Sequence, residues 1–285
     1  LEREEGVVES TEEKLQLRYR AAGIWEQELN NADQAIATYR TILDEQPGNS
    51  LALKALERLF TSLSRPADLI EVFEKMIAHA PDVASRVRLL NKVASTWEES
   101  FENHEKAIAA FDRVLAIDAE NVAALRSVER LARQVGAWER LIDALTRHIA
   151  LSKDAGEIVK LYIEIGETYY RELGNTAKAE EYYTAALDHD PESREANSAL
   201  GQLYERSGNW FNALEKLTNE AQIVGTEAEA VDLYYRIGKI NEDMLLDVDS
   251  AHAAYERALE IDHTHLPSIQ ALKEIASRRG RHEEY

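Results

Sequence analysis

A repeat of 72 residues runs through the whole chain and constrains its fold more than any other feature. Four segments align at this step without a gap, and they begin at Leu17, Leu89, Leu161 and Leu233. A second set of four segments lies between them and recurs at the same step. Each unit is therefore a pair of related sub-repeats of roughly 38 and 34 residues, which is typical of chains that stack small structural units.

The columns of the repeat predict helices that pack in pairs. One column is small (Ala35, Ala107, Ala179 and Ala251), and the column four positions further on is aromatic (Tyr39, Phe111, Tyr183 and Tyr255). Residues four apart share one face of a helix. The preceding helix has a second small column, formed by Ala22, Ala94, Gly166 and Gly238. Because glycine inside a helix costs about 1 kcal/mol, we expect Gly166 and Gly238 to lie at close helix crossings.

Turn residues separate the helical segments at regular intervals. The chain has only 5 Pro and 12 Gly among 285 residues, which favours helices joined by short loops. Pro, Asn and Ser in stretches such as "QPGNS" and "DPESR" should end one helix and cap the next. The predicted hairpins are 14–49, 50–84, 85–121, 122–157, 158–193, 194–229, 230–265 and a partial hairpin at 266–285.

These residues resemble the tetratricopeptide repeat family. One unit carries the family pattern at Tyr162, Ile165, Gly166, Tyr169, Ala179, Tyr183, Ala186 and Pro191, and the next at Leu200, Gly201, Tyr204 and Ala213. Other units depart from the pattern, since Arg18 replaces the first aromatic residue and Ala119 replaces the proline. The resemblance implies an all-α fold, a right-handed α-α superhelix or solenoid of about eight hairpins with incomplete ends, forming one domain over 1–285.

Both ends of the sequence align with the interior of the repeat. Leu1 falls in the column of Leu145, midway along a predicted helix. Tyr285 comes shortly after His282, where a second helix should begin. Arrays of this kind end in capping helices with a polar outer face. We therefore expect the sequence to be a piece of a longer array, with any N-terminal targeting information outside it.

Charge and composition narrow the classes of function. The net charge of −20 disfavours direct binding to nucleic acid or to an anionic membrane surface, because both are polyanions. The sequence contains no apolar run of membrane-spanning length, so we expect no membrane insertion by this segment. The absence of cysteine excludes disulfides and a thiol nucleophile. Cytoplasm and periplasm are both compatible with this composition, and we favour the cytoplasm.

Motifs for catalysis or cofactor binding are missing. The sequence has no P-loop, GxGxxG, HExxH or GxSxG motif. His263 and His265 flank Thr264 in a pattern that could bind a metal ion. The column of His263 reads proline or alanine in the other units, which favours a polar turn instead. We predict a protein that is not an enzyme and has no metal and no cofactor.

The resemblance also implies a binding surface, because family members present the first helix of each hairpin to a concave groove. Carried onto this sequence, the inward positions include Lys54, Arg58, Arg88, Asn91, Lys92, Arg126, Arg130, Arg133, Ile163, Tyr170, Gln202 and Tyr235. The first eight, in hairpins 2–4, are basic apart from one asparagine. Two interpretations stay open: these cations bind carboxylates or phosphates of a ligand, or they pair with Glu57, Glu129 and other neighbours on adjacent helices.

The leading function prediction is a non-enzymatic scaffold for protein–protein interaction. Its groove would bind a protein or peptide segment that is acidic toward hairpins 2–4 and apolar toward hairpins 5–7. One alternative is a regulatory or targeting segment of a larger enzyme or membrane protein. A further alternative is an RNA-processing scaffold of the half-a-tetratricopeptide type, which the pair Trp97–Glu98 and the stretch "AAYERAL" resemble.

Overall fold

The structure, a computed structural model that describes residues 10–283, consists over that range of fifteen helices and contains no strand. In chain order they are α1 (Thr11–Gln27), α2 (Ala32–Glu45), α3 (Ser50–Ser62), α4 (Pro66–Ala78), α5 (Val83–Phe101), α6 (His104–Ile117), α7 (Val122–Val135), α8 (Trp138–Leu151), α9 (Ala155–Glu167), α10 (Thr176–His189), α11 (Arg194–Ser207), α12 (Trp210–Ile223), α13 (Glu227–Ile240), α14 (Val248–Ile261) and α15 (Leu266–Glu283). The predicted all-α fold is confirmed.

Consecutive helices form hairpins, in which an odd-numbered first helix precedes an even-numbered second helix. The chain divides into two compact units between Ala144 and Leu145, inside α8. Unit 1 contains α1 to α7 with the start of α8, and unit 2 contains the end of α8 with α9 to α15. One continuous array over 1–285 stays a prediction.

Side-chain caps begin the helices at positions that recur every 72 residues. The second helices α2, α6, α10 and α14 are capped by Asn31, Asn103, Asn175 and Asp247. The first helices α3, α7 and α11 are capped by Asn49, Asn121 and Ser193. In each case a side-chain oxygen accepts a hydrogen bond from the backbone N–H three residues further on, which stabilises a helix by about 1 kcal/mol. The predicted capping role of the turn residues is confirmed at these positions.

The two helix glycines of the small column lie at close helix crossings, as predicted. A Cβ atom on Gly166 would lie 2.5 Å from Cε1 of Tyr183, and one on Gly238 would lie closer still to Cε1 of Tyr255. Both tyrosine side chains are buried. The small column therefore sets how near the two helices of a hairpin approach.

Apolar side chains between neighbouring helices form the core of each unit. In unit 1, one cluster joins Tyr39 and Ile42 of α2 to Leu56 and Phe60 of α3. In unit 2, comparable clusters bury side chains such as Leu200 and Leu217. Burial of a large apolar side chain contributes about 1.5–3 kcal/mol. Because each hairpin packs mainly on its sequence neighbours, stability is built up locally along the chain.

The first helices end in a recurring left-handed residue. Asn30, Glu102, Gly174 and Leu246 occupy one column of the repeat, and their φ angles are 47°, 50°, 62° and 56°. In unit 2 a π-helical turn precedes this residue, at Thr168–Glu172 after α9 and at Asn241–Leu245 after α13. The turn at Thr168–Glu172 places Tyr170 and Arg171 beside α11, where they contribute to the pocket described below.

Candidate functional site

Ion pairs connect the first helices of unit 1 to one another. Arg58 on α3 forms a bidentate pair with Glu26 on α1, in which Nη2 lies 2.8 Å from Oε2. Arg130 on α7 forms the same pair with Glu98 on α5, at 2.6 and 2.9 Å. The two pairs occupy equivalent columns of the 72-residue repeat. This parallel fork geometry is the strongest arrangement between arginine and carboxylate.

Lys92 on α5 is held in a similar way. Its ammonium group binds the carboxylate of Glu57 on α3 and lies 5.3 Å from the centre of the Phe73 ring. Three of the predicted cations, Arg58, Lys92 and Arg130, therefore have acidic partners on the preceding first helix.

The pairing of Arg130 with Glu98 changes the proton affinity of both groups. Their hydrogen bond raises the pKa of Arg130 and lowers the pKa of Glu98, and burial opposes both shifts. The Arg130 side chain is 46% exposed, so water screens the pair. Exposed pairs of this kind contribute up to about 1 kcal/mol each. They fix the position of the guanidinium group more than they stabilise the fold.

The other predicted residues of unit 1 are exposed as well. Lys54 and Asn91 are exposed, and Arg88 is exposed while it donates a hydrogen bond to Oγ of Ser85 at 3.0 Å. We call the set Lys54, Arg58, Arg88, Asn91, Lys92, Arg126, Arg130 and Arg133 the basic face of unit 1.

Helix α7 is the most basic part of this face. Arg126, Arg130 and Arg133 are all exposed, and the helix has only one acidic residue, Glu129, which is 7% exposed. Residues at spacings of four and three lie on one stripe of a helix. The outer surface of α7 is therefore positively charged.

The four predicted residues of unit 2 have different surroundings. Ile163 is half-buried against two apolar clusters. The ring of Tyr235 packs on Tyr255 at 5.7 Å and on His265 at 5.5 Å between centroids. Tyr170 and Gln202 line one pocket, which neither Ile163 nor Tyr235 reaches. The structure thus brings two of the four together.

This pocket of unit 2 has a volume of about 400 Å³ and opens among the end of α9, α10, α11 and α12. It is lined by Glu167, Tyr170, Arg171, Tyr183, Arg194, Glu195, Ser198, Ala199, Gln202 and Glu220. Five of these side chains are charged, and polar and apolar atoms share the lining about equally. We call it the α9–α12 pocket.

Glu220 is the buried carboxyl of the α9–α12 pocket, with a side chain that is 8% exposed. Burial raises the pKa of Glu220 because the charged form loses its hydration. A hydrogen bond with Ser198 and the charges of Arg194 and Arg236 oppose this effect without reversing it. The carboxylate is therefore incompletely compensated by its surroundings.

The guanidinium groups of the pocket already have carboxylate partners. Nη2 of Arg194 lies 2.7 Å from Oε1 of Glu229, which is outside the pocket, whereas its Nε lies 3.8 Å from Glu220. Arg171 pairs with Glu167 at 3.4 Å. Among the described residues, Glu195 is exposed and forms no ion pair. The lining therefore contains one more carboxylate than guanidinium group.

Some site residues were not found by sequence reasoning. Glu26 and Glu98 recur at the 72-residue step, as do their partners Arg58 and Arg130. The repeat could therefore have been used to predict these two ion pairs. Glu220 and Arg194 had no such signal, because the pocket depends on how the four helices α9 to α12 pack together. Within residues 10–283, no group of three or more His, Asp or Glu side chains is placed to bind a metal ion. His265 instead contacts Oγ of Ser268 at 2.8 Å.

Helical hairpins that pack on their sequence neighbours define a class of helical-repeat protein. Residues 168–226 match one family model of the tetratricopeptide repeat, and residues 52–87 and 124–159 match a second. With the 72-residue step that extends these matches, the chain is a tetratricopeptide repeat array. Such repeats generally form scaffolds for protein interaction, and the chain belongs to that class.

Several solved structures are similar to this chain at low sequence identity. The complex of Naa15 and Naa10 bound to HypK-THB matches 91% of this chain over 39% of its own, at 16% identity and a TM-score of 0.56. YrrB, a tetratricopeptide protein with an unusual peptide-binding site, matches at 18% identity and a TM-score of 0.42, over 72% of this chain and 99% of its own. The C-terminal part of a tetratricopeptide repeat protein from Cytophaga hutchinsonii matches at 14% identity and a TM-score of 0.46. The match covers 89% of this chain and 99% of that chain.

Comparison with curated protein sequences gave no significant match. In the part of the chain that the structure describes, none of the helices has the length and hydropathy needed to cross a membrane.

Proposed function

We propose that this scaffold binds an acidic segment of a partner protein on the basic face of unit 1. The observation that carries the proposal is the concentration of cations on α3, α5 and α7 in a chain whose net charge is −20. A positive patch of this kind attracts an acidic segment and speeds its association.

The paired arginines of the basic face keep the capacity to bind a partner. A guanidinium group has five N–H donors, and a bidentate pair with one carboxylate uses two of them. Arg58 and Arg130 therefore have N–H donors beyond those that bind Glu26 and Glu98. The two glutamates fix the orientation of the guanidinium groups. A partner carboxylate can bind these preorganised groups with less loss of side-chain entropy.

On unit 2 we propose that Tyr170 and Gln202 contact the partner. Both line the open α9–α12 pocket, and the exposed amide of Gln202 is free to turn toward a ligand because its contact with Ser198 is long, at 3.4 Å. Ile163 and the ring of Tyr235 would contribute only through their exposed edges, since both pack on neighbouring helices.

Charge reversal on the basic face tests this function. Short fluorescent peptides of glutamate and leucine serve as probes, with glutamine–leucine peptides for comparison. The triple variant Lys54→Glu, Arg88→Glu, Arg126→Glu avoids the bidentate pairs, and its circular dichroism should match that of the wild type. Anisotropy should show binding of the glutamate peptides weakened by more than about tenfold, equivalent to at least about 1.4 kcal/mol.

A control variant separates the face from overall charge. Lys75→Glu, Lys106→Glu, Arg140→Glu makes the same change in net charge on the second helices α4, α6 and α8, outside the basic face. This control should bind the glutamate peptides as the wild type does. Equal weakening in both triple variants, or none in the first, would contradict the proposal.

A further inference from the structure

The α9–α12 pocket differs in charge from the basic face of unit 1. Its lining includes three carboxylates, Glu167, Glu195 and Glu220, and only two guanidinium groups, both already paired. We propose that this pocket binds an arginine side chain of a partner segment. The inference rests on the proposed function only in taking the partner to be a protein.

The position of Glu220 favours a cation from outside. Its carboxylate lines the pocket although the side chain is 8% exposed, and its nearest cation, Nε of Arg194, is 3.8 Å away. Arg194 is bound more closely to Glu229. A buried carboxylate is stabilised when a cation with hydrogen-bond donors reaches it. An incoming guanidinium would therefore neutralise the charge of Glu220 more closely than Arg194 does.

The remaining lining residues supply the other contacts that an arginine requires. Glu195 is exposed on the same helix as Gln202, and it can accept hydrogen bonds without breaking an ion pair. The amide oxygen of Gln202 is a further acceptor. A volume of about 400 Å³ lies within the usual range of ligand pockets, about 300–1,000 Å³. The pocket therefore combines room with acceptors on several sides.

Tyr170 makes arginine a better fit than lysine. The guanidinium of Arg206 already lies 5.6 Å from the centre of the Tyr170 ring, and its Nη1 donates to the Tyr170 hydroxyl at 2.8 Å. The Tyr170 ring thus accepts a planar cation, and an incoming guanidinium would share the ring with Arg206 or displace it. A guanidinium can stack on an aromatic ring and bind carboxylates through a rigid fork, which an ammonium group cannot do.

Amide chemical shifts of the full chain test the assignment with blocked amino acids as probes. N-acetyl-arginine N-methylamide should shift the amides of residues that line the pocket, and the blocked norleucine and blocked glutamate should not. In the double variant Glu195→Gln, Glu220→Gln, the Kd for blocked arginine should rise by about tenfold or more. Glu256→Gln, which removes an exposed carboxylate from α14, should leave the Kd unchanged.

A single variant keeps the test decisive if the double variant is poorly folded. Glu195 is exposed, so Glu195→Gln should leave the fold intact and still raise the Kd about threefold or more. Shifts spread evenly over the acidic surface, equal binding of blocked norleucine, or an unchanged Kd in Glu195→Gln would overturn the assignment. If the wild type binds no glutamate peptide on the basic face but does bind blocked arginine, the proposed function alone would be contradicted.

Discussion

At the scale of single residues, Glu220 gives the clearest link between burial and pH. Burial places its pKa in the folded state above the ordinary carboxyl value of 4.5. The folded state therefore holds the proton more tightly than the unfolded state, so this contribution to stability is complete below about pH 4.5 and is lost as the pH rises through the folded-state pKa.

The variant Glu220→Gln should reveal how much stability the wild type loses when Glu220 ionises. Glutamine stays neutral, so the free energy of unfolding of the variant, relative to the wild type, should rise as the pH increases above about 4.5. Urea unfolding at several pH values measures it. Glu229→Gln is the matched control, because the hydrogen bond with Arg194 lowers the pKa of Glu229, and its relative stability should fall as the pH rises. Slopes of the same sign would contradict this description of the pocket.

The glycines of the first helices should respond to alanine in opposite ways. Gly238→Ala should destabilise, because its Cβ would collide with the Tyr255 ring, which a hydrogen bond of 2.9 Å to Glu242 holds in place. Overpacking of a core typically costs about 1–3 kcal/mol. At Gly201 the nearest atom would be 3.7 Å away, so Gly201→Ala should stabilise α11 by up to about 1 kcal/mol. Thermal unfolding of both variants measures this, and equal shifts would contradict the close crossing.

The sequence predicts residue roles where they depend on local spacing. The caps at Asn49 and Asn121 and the crossing at Gly166 follow from columns of the repeat, because a helix turn and a helix pair repeat with the chain. The burial of Glu220 could not be predicted in this way. Its surroundings come from α11 and from charges on α13, and no single column of the repeat describes them.

At the scale of helices and turns, Leu246 is one of two strained members of a recurring column, the other being Glu102. A branched apolar residue is disfavoured at a φ of 56°, by about 1–2 kcal/mol. Asn30 and Gly174 fill the same position with residues that accept this conformation. Leu246 gains little from packing, since it is 78% exposed.

Replacement of Leu246 should separate backbone strain from side-chain character. Leu246→Asn should raise the free energy of unfolding by about 1 kcal/mol, because asparagine tolerates the left-handed region. Leu246→Ala removes the exposed apolar side chain but keeps a Cβ atom, so it should have little effect. Urea unfolding compares the three proteins. A gain in the alanine variant equal to that in the asparagine variant would show that strain is not the cause.

The helices themselves were predictable from the repeat, and the ends of some first helices were not. Apolar spacing and turn residues specify where α2 or α7 begins. The π-helical turns at Thr168–Glu172 and Asn241–Leu245 have no such signature, because the equivalent residues of α5 continue as a regular helix. The position of Tyr170 in the pocket depends on one of these turns. The pocket could therefore not be predicted from the sequence pattern.

At the scale of the whole molecule, the chain separates surfaces of opposite character within a strongly acidic protein. The basic face belongs to unit 1 and the acidic α9–α12 pocket belongs to unit 2. The resemblance to tetratricopeptide repeats implies that first helices carry the binding residues, but the step of 72 residues continues unbroken through α8. Nothing in it marks the division after Ala144.

The most direct test of the central claim is to map where an acidic segment binds. Backbone amide shifts of the full chain are recorded as a glutamate–leucine peptide is added, and again with the glutamine–leucine peptide. We expect the glutamate peptide to shift amides of α3, α5 and α7, centred on Lys54, Arg88 and Arg126, and the glutamine peptide to leave them in place. Shifts concentrated on the second helices, or equal shifts with both peptides, would contradict the account.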